Sequence, residues 1–256
     1  MKYIILASKK DPAGMNIVSE LEKLNCKIPI HLVEEEIIHA EKVDEKLDAD
    51  FIIFASKHRA VKNEKALTVH TIGNFKKAEY GGKSETLSPS SASITKTFFQ
   101  TLNKNNDSDY KVTLEATHHG PLLKTPSLFI EIGATKEEWV DKKAGKIVAK
   151  TIIEATKNKL SKSKPAFGIG GPHYCPNFNE IQLSSDYAIS FVVAKYSLPL
   201  TENLVKQLID KTIEKPKTAI VDWKGFDNST QRNHTIELLK SLEIEIVKSR
   251  DAKNNH

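Results

Sequence analysis

Short apolar runs alternate along the chain with stretches whose apolar residues recur at helical spacing. "YIILAS" (3–8), "IPIHLV", "DFIIFAS" (50–56), "ALTVHTIGN" (66–74), "YKVTLEATHHGP", "PSLFIEIG" and "TAIVDW" read as strands. The continuous run in "DFIIFAS" is the pattern of a central strand covered on both faces. "DPAGMNIVSELEKL" reads as a helix, with Pro12 in its first turn and Met15, Ile17, Val18, Leu21 and Leu24 on one side. Residues 136–158 predict one long helix, because Trp139, Val140, Ala144, Ile147, Val148, Thr151, Ile152 and Ala155 form a stripe. Glu137 and Glu138 stand at its positive end, and Gly145 interrupts it. Ser90 or Ser91 caps a helix over "ASITKTFFQTLNK".

Further on, "EIQLSS", "YAISFVVAK" and "IEIVKS" are expected as strands, and "TENLVKQLIDKTIEK" and "STQRNHTIELLKSL" as helices. "EEEIIHAEKVDEKLDAD" is charged and reads as a surface excursion, partly helical. Strands alternate with helices, but several in the middle are joined by short turns. The expected class is therefore α/β, with a mixed central sheet flanked by helices. Neither a repeat nor a low-complexity linker divides the chain, so one domain over 1–256 is expected, with a frayed tail at 250–256.

Composition narrows the setting. The 256 residues suffice for a substantial core, and no apolar run approaches the ~20 residues of a membrane helix. No cleavage site follows the N-terminal apolar run, and the two cysteines, Cys26 and Cys175, suit a reducing compartment, so the cytoplasm is expected. The net charge of +5 favours an anionic partner such as RNA without demanding one.

Candidate chemistry gathers in "EATHHGP" and "GIGGPHYCPNF". On a regular strand the adjacent His118 and His119 point to opposite faces and cannot easily chelate one metal. Gly120-Pro121 forces a turn that swings His119 around, so base, ligand and strand-capping roles all stay open. Glu131 stands inside an apolar strand, where a carboxylate needs a partner. Three glycines let the backbone near His173, Tyr174 and Cys175 approach a ligand, but neither a phosphate loop nor a dinucleotide fingerprint is present. Cys175 is either a thiol ligand or nucleophile, or simply a small packed residue.

His58, His70, His118, His119 and His173 all follow apolar runs, as residues of a site at the carboxyl edge of a sheet would. His31, His39, His234 and His256 lack that context and are set aside as structural or surface residues. The histidines supply nitrogen donors for zinc, although without an HExxH or CxxC pattern the spacing does not say which. No Gly-x-Ser-x-Gly elbow favours a hydroxyl nucleophile. Activation of water by histidine, with or without zinc, is the most economical chemistry.

The ordered set "MNI", "FASKHR", "ALTVHTIGN", "AEYGGK", "EATHHGP", "PSLFIEIGATKEEW", "AGKIVAKTII", "GIGGPHYCP" and "DWKG" resembles the D-aminoacyl-tRNA deacylases of the type found in archaea and plants. The resemblance runs nearly the whole length. It implies a phosphorylase/hydrolase-like fold similar to peptidyl-tRNA hydrolase and a zinc-dependent esterase. That esterase would cleave the bond between a D-amino acid and the terminal ribose of tRNA. Such a family often places Ala at 175, so it assigns no role to a thiol there.

Under this reading His118 or His119 is general base or zinc ligand, Glu131 orients the base and His173 completes the site. The candidate zinc ligands are His118, His119 and His173. Lys57, Arg59, Lys124 and Lys224 are candidate RNA contacts on charge and position alone. His58, His70, Asn74, Gly170, Gly171 and Tyr174 are further candidate substrate-binding positions. Aminoacyl-tRNA is the expected partner, with no DNA or membrane, and monomer and homodimer are both open. Two other classes remain: a peptidyl-tRNA hydrolase-like or zinc-dependent amidase activity, and a non-catalytic RNA-binding module.

Overall fold

The computed structural model describes residues 1–59, 64–160 and 162–253. In chain order come β1 (Tyr3–Ser8), α1 (Pro12–Lys23), β2 (Ile30–Val33), β3 (Phe51–Lys57) and β4 (Ala66–His70). The two-residue strands β5 (Gly73–Asn74) and β6 (Thr86–Leu87) precede α2 (Ala92–Asn105), β7 (Lys111–Leu114) and β8 (Ser127–Gly133). Next are α3 (Lys136–Trp139), α4 (Lys142–Ala155), β9 (Lys164–Ile169), α5 (Pro176–Ser184) and β10 (Tyr187–Val193). The chain continues with α6 (Glu202–Asp210), β11 (Thr218–Val221), α7 (Ser229–Ser241), β12 (Glu245–Lys248) and α8 (Ser249–Ala252).

Six strands form one sheet in the order β2-β1-β3-β8-β4-β7. It is mixed, as expected, because β4 runs antiparallel to β8 while the other neighbours are parallel. A second sheet, β10-β9-β11-β12, is wholly parallel. One face of the first sheet presents Ile5, Ile53, Ala55, Leu67, Val69, Leu128 and Ile130 to α1, α2 and α4. On the opposite face Leu6, Phe54 and Phe129 meet Val33 at the end of β2 and Ile37, Val43 and Leu123 from short turns and loops. That face has no long helix over it, which leaves room for a site. α2 also packs on β10 of the second sheet, where the buried Lys96 donates to the carbonyls of Ser185 and Tyr187. Burial pushes that ammonium down to about 8.

The structure departs from the sequence pattern at several points. The helix expected over 136–158 is two helices, because Thr135 closes a capping box with Glu138 and Asp141 caps again at Lys143 N. "EIQLSS" lies in helix α5, with Pro176 at its first turn and Phe178, Ile181 and Gln182 buried at helical spacing. "ALTVHTIGN" is not one strand: β4 ends at His70, and Gly73–Asn74 pairs separately with Thr86–Leu87. The strand expected over "YKVTLEATHHGP" ends at Leu114. The tail is ordered further than expected, since Ser249–Ala252 is helical and Ala252 is buried. Residues 254–256, and with them His256, lie outside the described residues. No helix among the described residues is long and apolar enough to cross a membrane.

Gly145 marks a tight helix contact. A Cβ there would lie 2.7 Å from Asn16 Oδ1 on α1. Asn16 in turn donates from Nδ2 to the carbonyls of Trp139 (3.1 Å) and Asp141 (2.8 Å), satisfying the break between α3 and α4. Gly145→Ala would gain up to about 1 kcal/mol of helix propensity. It would also force α1 and α4 apart, and such overpacking costs about 1–3 kcal/mol. A net loss of stability is expected in thermal unfolding, and a raised melting temperature would contradict this packing.

Candidate active site: a histidine–carboxylate centre

The paired strands β8 and β4, the end of β3 and a third segment after β7 converge on the open face of the first sheet. On β8 the alternating residues Phe129, Glu131 and Gly133 share that face, and their register partners do too. Thr68 lies beside Glu131 and His70 beside Phe129. The His70 ring stacks on Phe129 at 5.1 Å, and Phe129 stacks on Phe54 at 4.6 Å. His58 follows β3 and sits above Gly133, where a Cβ would come within 2.6 Å of its Cδ2. Gly133 is therefore the space that His58 occupies. Since β4 and β7 run opposite to β3 and β8, the histidines meet over the sheet face. They do not line one carboxyl edge, as the strand-end pattern had suggested.

The third segment is Glu115–His119, after β7. It lies between the two sheets: Glu115 N donates to Val69 O (3.2 Å), Ala116 N to His173 O (2.8 Å) and Thr117 N to Val192 O (2.9 Å). Strand alternation therefore does not govern His118 and His119. His119 adopts φ 48°, and the two rings come to 4.3 Å. The turn at Gly120-Pro121 brings both histidines to one place.

Glu115 is the hub. Its Oε2 lies 2.9 Å from His173 Nε2 and 3.6 Å from His118 Nε2, and its Oε1 is 3.0 Å from His58 Nδ1. The last contact is off hydrogen-bonding geometry, so Oε1 has no hydrogen-bond partner. Glu131 Oε2 lies 3.6 Å from His70 Nε2 and 3.8 Å from His58 Nδ1. The carboxylate beside His118 and His173 is thus Glu115, and Glu131 instead serves His58 and His70. Two tyrosines complete the surroundings: Tyr174 OH is 2.7 Å from His58 Nε2, and Tyr196 OH is 2.8 Å from His173 Nδ1.

Backbone carbonyls choose the tautomers. Nδ1 of His70, His118 and His119 lies 3.0, 2.7 and 2.6 Å from the carbonyl oxygens of Thr71, Ala116 and Gly120. A carbonyl only accepts, so each Nδ1 carries the proton and each Nε2 is left for another partner. Nε2 of His70 is buried with no hydrogen-bond partner. Ring nitrogens of His70, His118 and His119 lie within 4.8 Å of one another. The sets Glu115–His118–His173 and His58–Glu115–Glu131 meet the same criterion.

Burial and neighbours drive the titrating groups apart. Burial, reinforced by His119 and His70, holds His118 well below the ordinary imidazole range, and burial takes His119 down to about 3. For His70, burial pulls down but Glu131 outweighs it, and the result is raised. His58 is raised likewise, with Glu115 overcoming burial. Glu131 is raised by burial. Burial also acts on Glu115, but His173 and His58 prevail and hold it well below the carboxylate range. Cys175 is buried, donates its thiol to His173 O (3.0 Å) and is pushed well up by burial, which is the packed-residue reading.

An open cleft of about 570 Å³ leads to the centre, lined among others by Lys57, Arg59, His39, Tyr80, His118 and Glu131. His39, set aside on sequence context, is therefore at the mouth. Asn74 is not: its amide donates to Gly81 O at 2.9 Å. Lys124 pairs with Glu45 at 2.9 Å, away from the centre. Gly170, Gly171 and Lys224 stand at the ends of the second sheet, with only the loop after Gly171 reaching the histidines through His173. Glu115, His39 and Tyr196 were missed. Glu115 had the signal already used for Glu131, a carboxylate between apolar residues. Nitrogen-15 NMR of chelator-treated protein should show His118 and His119 neutral and Nδ1-protonated between pH 7 and pH 5. Protonation of either ring near the ordinary value of about 6.5 would contradict this burial.

With this geometry in place, comparisons with known proteins are informative. The family model described as D-aminoacyl-tRNA deacylase matches residues 45–247. A D-aminoacyl-tRNA deacylase of Pyrococcus furiosus is 36% identical over 96% of this chain and 99% of its own length. Its counterpart from Methanocaldococcus jannaschii is 34% identical, over 96% of this chain and 98% of that one. A crystal structure of a conserved protein of unknown function, AF0625, superposes with a TM-score of 0.90 at 30% identity, covering 98% of this chain and 96% of that one. The chain belongs to the D-aminoacyl-tRNA deacylase family.

Proposed function

We propose that this chain hydrolyses the ester between a D-amino acid and the terminal ribose of tRNA at the histidine–carboxylate centre, with zinc as cofactor. Three imidazoles, each with Nδ1 tied to a carbonyl and all with ring nitrogens grouped in one small space, are the observation that carries this reading. The donor set fits the metal. Imidazole and carboxylate are ordinary zinc ligands, and a buried His70 Nε2 without a partner, beside a buried carboxylate, suits a cation. His70, His118 and His119 would hold it, with Glu115 and His173 as a second set sharing His118. Bound there, zinc would acidify water and polarise the ester carbonyl.

The protein's own groups supply the rest. Glu131 lines the cleft beside His118 and His119, and burial raises its basicity toward the working range of a general base. It takes the proton of the attacking water and returns it to the ribose oxygen that leaves. His58, raised by Glu115, lies next to Glu131 and is steadied by Tyr174. Glu115 holds His58 and His173 in place. Lys57 and Arg59 at the mouth suit the tRNA backbone, which phosphate contacts position without reading sequence.

Matched D- and L-aminoacyl-tRNA should be split at clearly different rates, and equal rates would refute the chirality assignment. Glu131→Gln should lower kcat by about 10²–10⁴-fold while zinc content stays at the wild-type level. A folded variant with full activity would remove Glu131 from the mechanism. Chelation should abolish turnover, with zinc restoring it. The kinship with peptidyl-tRNA hydrolase expected from the sequence belongs to a second reading, and turnover of N-blocked aminoacyl-tRNA is its test.

A further inference from the structure

The second sheet carries a cleft that the chemistry above leaves unused. Its strand order is β10-β9-β11-β12, so successive connections leave β9 in opposite directions and the order reverses between β9 and β11. At such a switch point the loops after two parallel strands diverge and open a crevice at their carboxyl ends. Here Gly170-Gly171 follows β9 and Asp222-Trp223-Lys224-Gly225 follows β11, the two loops being joined by Gly171 N to Gly225 O at 2.7 Å. That bond closes the switch point itself, and beside it a crevice of about 500 Å³ lies between the loop after β11, the end of β12, α5 and α8.

Its charge is predominantly positive. Lys224, Lys248, Arg250 and Lys253 line it, against Glu180 and Asp222. Glu180 is paired with Lys253, and the buried Asp222 accepts from Asn177 Nδ2 at 2.9 Å. Arg250 shares its Nε with Asp251 at 3.1 Å. Trp223 anchors two cations, with Lys248 Nζ 4.7 Å and Arg232 Cζ 5.0 Å from its ring centroids, and Arg232 Nε is buried without a hydrogen-bond partner. An aromatic ring that holds cations in place lowers the entropy lost when they meet an anion.

We propose that this crevice is a second substrate site that grips the phosphodiester backbone of the tRNA acceptor end. The proposal rests on the deacylase reading. Asn177, on Asp222, follows His173, on Glu115, by four positions, and four residue steps span at most about 14 Å. The crevice is therefore within a few nucleotides' reach of a strand whose terminal ribose is at the histidines. Backbone grip of this kind supplies affinity and register and leaves the chemistry to the centre.

The test combines Lys248→Gln with Arg250→Gln in the full chain. The KM for D-aminoacyl-tRNA should rise roughly tenfold, and the slope of log affinity against log salt for uncharged tRNA should shrink by about two. Truncating the substrate to a D-aminoacyl-adenosine, which carries no phosphodiester, should erase the difference in KM between variant and wild type. Wild-type KM and salt slope on tRNA would overturn the proposal. So would competition by inorganic phosphate at the crevice combined with unchanged tRNA affinity, which would mark a small-anion site. Binding of uncharged tRNA is read without turnover, so tRNA bound but never deacylated would sink the deacylase reading and not this site. Turnover of D-aminoacyl-tRNA with an unaltered KM would sink this site alone.

Discussion

The buried carboxylate of Glu115 is the constraint around which the centre is organised. Moving a charged carboxylate out of water costs several kcal/mol, and the cost is met only where opposite charge and donors surround it. Here His58, His70 and His173 come from three separate segments to do so. Removing any one would leave charge exposed to a low-dielectric interior, so the segments hold one another in position. Glu131 repeats the arrangement with His58 and His70. Two acids in one buried site cannot both ionise cheaply, and they part: Glu115 is held low while Glu131 is pushed up.

The two sheets make this arrangement possible. The first provides a face without a covering helix, where Phe54, Phe129 and His70 stack beneath the site. The second sends the loop after β9 across to deliver His173 and presents Val192 O to Thr117 N. The segment Glu115–His119 is thereby fixed from both sides. Its histidines are oriented by backbone carbonyls close in sequence, so their protonation pattern is a local property placed at a tertiary junction.

Much of the fold was legible in the chain. β1, β3, β8 and β11 are continuous apolar runs, and α1, α2 and α7 show apolar residues at helical spacing or clear caps. The errors have specific causes. Asp141 restarts a helix inside a stripe that periodicity reads as unbroken, because capping acts through one hydrogen bond that hydrophobic spacing does not register. "EIQLSS" is apolar at two positions only, and its helix is decided by burial of Phe178, just ahead of the run considered. Glu115, between Leu114 and Ala116, carries the same signal as Glu131, but its partners His58 and His173 lie more than fifty positions away and only the fold brings them to it.

The chain alone sufficed for the α/β class, the family, and the placing of His118, His119, Glu131 and His173 in the motifs "THHGP", "FIEIG" and "GGPHY". Those are matters of local spacing and residue type, which a linear string carries in full. Which carboxylate meets which histidine was decided only by the reversal of β4 against β8. That reversal brings His70 and His58 from opposite directions onto Glu131. The placement of Lys224 at a crevice apart from the cleft of His118 and His119 was likewise tertiary, because strand order in the second sheet depends on long-range pairing and leaves no trace in neighbouring residues.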